Sequence, residues 1–160
     1  MLNGRGTFII TMTFLLAFIL TLLPIPLWAG WFRPAWVLLV LIYWNLRFPN
    51  QVNIGIAWFV GLLMDVLNGT LLGEHALAMT VASYFVIKMH ARIRMFPLVQ
   101  QGLCVLLLVL LYQFVIYNIQ GFVNEAPQSK WYWISALVSM LLWPWVVSIL
   151  KNLHQHLKMV

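Results

Sequence analysis

From Leu98 to about Phe122 this chain runs without one charged side chain. About 20 apolar residues suffice to cross the ~30 Å hydrocarbon core of a bilayer, so this run predicts a membrane-spanning helix. Apolar runs of similar character fill most of the rest, with the lysines and arginines scattered between them and a single acid, Asp65, well inside one. With 64% hydrophobic and 8% charged residues, the composition lies far from the ~25% charged residues of a soluble domain. The expectation is an all-α polytopic membrane protein, and 160 residues leave no room for a separate soluble domain.

In chain order the runs predict six spans, at about 7–29, 34–48, 52–67, 71–89, 98–122 and 131–150, forming one integral membrane domain over 1–160. Pro24 and Pro26 should end or bend the first helix, and Pro34 suits the first turn of the second. The first run is too long for the apolar region of a signal peptide and ends in a poor cleavage sequence, so it is read as uncleaved. The second run has an apolar part of only about 14 residues, or ~21 Å, and is short or re-entrant. The turn between the second and third runs carries Asn50, Gln51 and Asn53.

Charge sets the expected orientation. With the N-terminus in the cytoplasm, Arg5, Arg47, Lys88, Arg92, Arg94, Lys151 and Lys158 fall inside, while Arg33 and Lys130 fall outside. Both termini are then cytoplasmic. Glu74 and Glu125 lie in external loops. Trp28, Trp31, Trp36, Trp131 and Trp133 line the outer interface, with Trp44, Trp143 and Trp145 near the inner one. The net charge of +6 is scattered between apolar runs and makes no basic patch for nucleic acid. Lys88, Arg92 and Arg94, in a basic inner loop, are candidates for contact with anionic lipid or a cytoplasmic partner, each worth about 1 kcal/mol toward anionic lipid.

The stretch Gly55–Leu77 holds the main chemical question. Ala57, Gly61 and Asp65 recur every four residues and share one helix face, a small-residue stripe against which a second backbone can pack closely. Gly69 and Gly73 punctuate the turn that follows. Asp65 alone in lipid would cost roughly 2.5–3.5 kcal/mol, and three fates are open to it: pairing with Arg33, capping the Asn68–Gly69 turn or reaching interfacial water, or binding a ligand or proton. On the fifth span Gln113, Tyr117 and Gln120 form a polar stripe that must meet protein or water. It forms either inter-helix hydrogen bonds or, with Arg33 and Asp65, an outer-leaflet pocket or partner-docking surface.

Catalysis is poorly supplied. Three acids in the whole chain leave little for general acid–base work, and only Asp65 is expected to be buried. His75, His90, His154 and His156 fall in loops or the tail with no metal-ligand spacing, and no phosphate-loop, dinucleotide or nucleophile-elbow pattern occurs. No catalytic residue, metal or cofactor is expected. The lone Cys104 sits in an apolar run and reads as a small hydrophobe.

The segments FRPAWVLLVLIYW (32–44), PNQVNIGIAWFVGLLMDVLNGTLLGEHALAMT (49–80) and LLWPWVVSILKNL (141–153) resemble the MreD family of rod shape-determining membrane proteins, in forms from gammaproteobacteria. The pattern Gly-Leu-x-x-Asp-x-Leu-x-Gly-x-x-Leu-Gly, here Gly61 to Gly73, is its most specific part. The resemblance implies a non-enzymatic scaffold of the bacterial inner membrane, acting in cell elongation and peptidoglycan synthesis. The implied direct partner is MreC, with MreB, the RodA glycosyltransferase and a penicillin-binding transpeptidase in the same complex. It also implies a six-helix fold similar to the S components of vitamin transporters, and hence the alternative of a small-molecule or lipid-precursor binding protein. The partner-binding candidates are Arg33, Ala57, Gly61, Asp65, Gly69, Gly73, Gln113, Tyr117 and Gln120.

Overall fold

Uninterrupted apolar sequence in lipid must satisfy its own backbone, and the runs do so as helices. The computed structural model describes residues 4–23, 35–69, 72–122 and 133–158, without the side chains of 156–158. In order these form α1 (Gly4–Leu22), α2 (Trp36–Arg47), α3 (Ile54–Asn68), α4 (Glu74–Lys88), α5 (His90–Met95), α6 (Leu98–Phe122) and α7 (Ile134–Lys158). Three are long and apolar enough to cross a membrane alone: α1, α6 and the Ile134–Gln155 part of α7. α2 and α3 are shorter apolar helices. Arg33, Lys130, Glu125, Trp28, Trp31 and Trp131 lie outside the described residues, as do the side chains of His156 and Lys158.

Several boundaries differ from the sequence expectation for local reasons. α1 stops at Leu22, because the residue before Pro24 is driven out of helical geometry. The expected basic loop after Lys88 is the short helix α5, which Gln101 ties to α6 by donating from Nε2 to the Ile93 carbonyl (3.0 Å). α7 runs through Pro144 and continues to Lys158, so most of the expected tail is helical.

The centre of the bundle is α2. Every residue from Val37 to Leu46 is buried, and the helix touches α1, α4, α5, α6 and α7. A helix that is apolar all round belongs inside, and at 12 residues, or ~18 Å, α2 meets protein on every side. Its shortness therefore leaves no polar backbone facing lipid. Two buried polar bonds set its register. Trp44 Nε1 donates to Thr13 Oγ1 of α1 (3.0 Å), and Asn45 Nδ2 donates to Ser83 Oγ of α4 (2.9 Å).

Contacts at both ends give the helix directions. Ser139 Oγ accepts from the Ala35 amide at the start of α2, and the His154 ring stacks edge-on against Phe48 at its end (5.3 Å), so α2 and α7 run parallel. Tyr117 lies against Trp133 and Gly102 against Met140, so α6 and α7 are antiparallel. The C-terminal ends of α2 and α4, together with α5, thus place Arg47, Lys88, Arg92 and Arg94 at one end of the bundle. The turn from α3 to α4 lies at the other. Trp44 and Trp143 are fully buried, which corrects their expected place in an interfacial belt; Trp145 is exposed. Trp143 is held in the core by α2 and α6, where Gln101 Oε1 faces its indole N–H at 3.4 Å.

Candidate functional site

The α3–α4 hairpin is the most intimate helix pair in the fold, and its polar groups converge at the connecting turn. Gly69 ends α3 in a left-handed conformation (φ 67°) and donates its N–H to the Asp65 carbonyl, as a helix-terminating glycine does. Gly73 is also left-handed (φ 100°) and opens α4. The first turn of α4 packs back onto α3. Gly61 makes this approach possible: a Cβ there would lie 2.3 Å from the Ala76 Cα and 2.7 Å from the His75 carbonyl oxygen. Ala57, Gly61 and Asp65 all lie on this buried face.

Asp65 receives the N-terminus of α4. Its Oδ2 accepts from the Gly73 N–H (2.8 Å), and its Oδ1 accepts from the His75 N–H (2.9 Å) and contacts His75 Nδ1 (2.7 Å). A carboxylate near the C-terminus of its own helix is disfavoured by that helix's dipole, but here it faces the positive end of the next one. The carboxylate is 0% exposed and the His75 side chain 12%, so this is a tertiary cap inside the protein. It replaces the expected cap of the Asn68–Gly69 turn. The expected Arg33–Asp65 pair involves a residue outside the described ones.

A second buried acid stands beside it. Glu74, expected in an external loop, is the first residue of α4 and only 4% exposed. Its Oε1 accepts from Gln120 Nε2 at 2.8 Å, linking α4 to α6. The His75 ring also lies 6.1 Å from the Tyr112 ring of α6. The turn therefore joins three helices through two carboxylates, an imidazole and an amide.

Comparison with known proteins identifies the chain. A family model described as rod shape-determining protein MreD matches residues 5–153. The chain belongs to the MreD family. A rod shape-determining protein MreD of Haemophilus influenzae is 34% identical over 152 residues, covering 95% of this chain and 94% of the relative. No solved structure matches the chain significantly. Membership in MreD, a family of shape-determining structural proteins, gives the chain a role in cell shape, and its apolar helices are those of a membrane protein.

The most specific part of the MreD resemblance, Gly61 to Gly73, is thus the segment that builds the α3–α4 turn. The polar stripe of α6 divides: Gln113 is buried, Tyr117 packs on Trp133 (5.9 Å), and Gln120 goes to Glu74. Of the basic candidates, Lys88 lies over the Tyr84 ring (5.8 Å), while Arg92 and Arg94 are exposed on α5. Sequence reasoning missed Glu74 and His75. An acid in the first turn of a helix was a usable signal for Glu74, whereas the approach of His75 to Asp65 depends on the tertiary contact at Gly61.

Proposed function

We propose that this chain is a non-enzymatic membrane scaffold of the cell-elongation complex, binding MreC and helping couple peptidoglycan synthesis to MreB filaments. The match to a rod shape-determining family over residues 5–153 carries the reading. The internal chemistry supports it: Asp65 accepts from the N-terminus of α4 and Glu74 from Gln120 of α6, bonds that fix helices to one another. Six spans with both termini in the cytoplasm, RodA and a penicillin-binding transpeptidase in the same complex, and an inner-membrane location belong to the same proposal. The clustering of Arg47, Lys88, Arg92 and Arg94 at one end of the bundle supports the orientation.

An apolar groove of about 630 Å³ runs between α1 and α3, lined by Ile10, Phe14, Phe18, Phe59, Val60 and Leu63. Its walls suit the side of an apolar helix better than a polar metabolite. The test is capture of MreC by the tagged protein in mild detergent. Capture should survive Tyr117→Phe and Gln120→Leu and fall when Phe59 and Leu63 are both replaced by Ser. Variants that restore rod shape in cells lacking the native protein, yet capture no MreC, would overturn the scaffold reading. The alternative, a binder of a small molecule or lipid precursor, predicts instead a defined ligand lost from the stripe variants.

A further inference from the structure

The basic end of the bundle contains a cavity that the α3–α4 turn does not touch. It has a volume of about 430 Å³ and lies between α2, α5, α6 and α7, with Tyr43, Arg47, Arg94, Gln101 and Trp143 among its walls. Tyr43 is 2% exposed, and its buried hydroxyl stands next to the Arg47 guanidinium with no acceptor for its own proton. A buried donor left without an acceptor costs about 1–3 kcal/mol. Arg47 places its guanidinium 5.5 Å from the Tyr43 ring centroid. Across the cavity, Arg94 is positioned by α5, which is anchored through the buried Ile93 side chain and the bond from Gln101 to the Ile93 carbonyl.

Among the described residues no carboxylate lines this space. Of the two acids among the described residues, Asp65 and Glu74, both lie at the opposite end of the bundle. Two guanidinium groups therefore face one cavity with no acidic counterpart among the described residues, beside a hydroxyl with no acceptor. Guanidinium forks match the geometry of phosphate oxygens, and a phenol donates to the same group.

We propose that this cavity binds a phosphate group, with Arg47 and Arg94 supplying charge-assisted hydrogen bonds and the Tyr43 hydroxyl a third donor. Two sources share that chemistry: the headgroup of an anionic phospholipid and a soluble phosphate. The walls contributed by Leu46, Met95 and Val147 fit the apolar portion of a lipid, and the soluble source would use the polar donors alone.

The experiment uses the purified full chain. In one arm it is placed in nanodiscs of phosphatidylcholine with a minor share of phosphatidylglycerol, and bound lipid is read by native mass spectrometry. In the other it is held in a neutral detergent and titrated with pyrophosphate. Wild-type protein should bind at least one of the two probes, and the arm that responds identifies the source. Arg47→Gln and Arg94→Gln should each weaken that binding about tenfold or more, the scale of one charge-assisted bond. Arg92→Gln, on α5 but outside the cavity walls, should change it less than twofold. Tyr43→Phe should weaken binding severalfold while leaving the ligand-free protein as heat-stable as wild type or more so. Because Arg94 is exposed and Tyr43→Phe removes only an oxygen, both variants should fold even if Arg47→Gln does not. Binding of neither probe, or an equal loss for Arg92→Gln and Arg94→Gln, would overturn the site.

Discussion

Replacing Gly61 with Ala tests the hairpin most sharply. The added Cβ would stand 2.3 Å from the Ala76 Cα and 2.6 Å from its nitrogen. Carbon atoms in good contact lie about 3.5 Å apart, so the shortfall against the 2.3 Å contact is about 1.2 Å (3.5 − 2.3). The three nearest atoms all belong to the α4 backbone, and no rotamer can relieve the clash. The helices must separate by on the order of 1 Å, next to Asp65 bonds of 2.8 and 2.9 Å. A bond stretched by that much passes the range in which it counts as one. Overpacking costs about 1–3 kcal/mol, loss of one charge-assisted bond about 1.5–3, and the gain in helix propensity returns roughly 0.5–1. The net loss is about 2–5 kcal/mol, or a fall of roughly 5–20 °C in Tm for a chain of this size. Scanning fluorimetry of the protein in dodecyl maltoside measures it. Gly102→Ala is the control, since its nearest neighbour would be Met140 Cγ at 3.6 Å, and it should lose nothing. A Gly61→Ala protein within 2 °C of wild type, on the order of 1 kcal/mol or less, would refute the reasoning. So would rescue by Ala76→Gly, which removes a methyl group that is not the obstacle.

Three further outcomes follow from the buried polar bonds. Asp65→Ala strips the cap from two α4 amides and should cost about 2–5 kcal/mol, while Asp65→Asn keeps one acceptor oxygen and should cost about half as much; the same melts rank them. His75→Ala leaves both backbone bonds to Asp65 in place and should cost less than Asp65→Ala, on the order of 1–2 kcal/mol. Ser83→Ala removes the acceptor facing Asn45 Nδ2 and should cost about 1–3 kcal/mol. Adding Asn45→Leu should recover most of that loss, since it removes the orphaned amide, and a double variant weaker than Ser83→Ala alone would contradict this.

The helical class was legible because long charge-free runs admit few other structures in lipid, and α6 is the clearest such run. The close approach at Gly61 was legible in kind, since a glycine midway between Ala57 and Asp65 on one face marks where a backbone can come near. What that backbone brings was not. Glu74 and His75 look like loop residues until the fold places them: His75 meets Asp65, ten residues away, across Gly69 and Gly73, and Glu74 meets Gln120 of α6, 46 residues away. The centrality of α2 was hidden for the opposite reason: a helix apolar on every side has no polar face from which to read its position. Trp44 and Trp143 have the composition of an interfacial belt, and only the helices around them place them in the core. α5 carries the sequence HARIRM, too short and too charged to show a period.

The burial of α2 bears on how the protein is made. Its twelve residues fall short of the about 20 that hold a helix across a bilayer unaided. While the chain is still emerging, α2 can shelter only beside α1, for α4, α6 and α7 have yet to be synthesised. α7 is the last of the helices that cover it. The core of this protein therefore closes near the end of translation, and a chain that stalls before Ile134 leaves its most buried helix open to lipid and to the proteases that survey it.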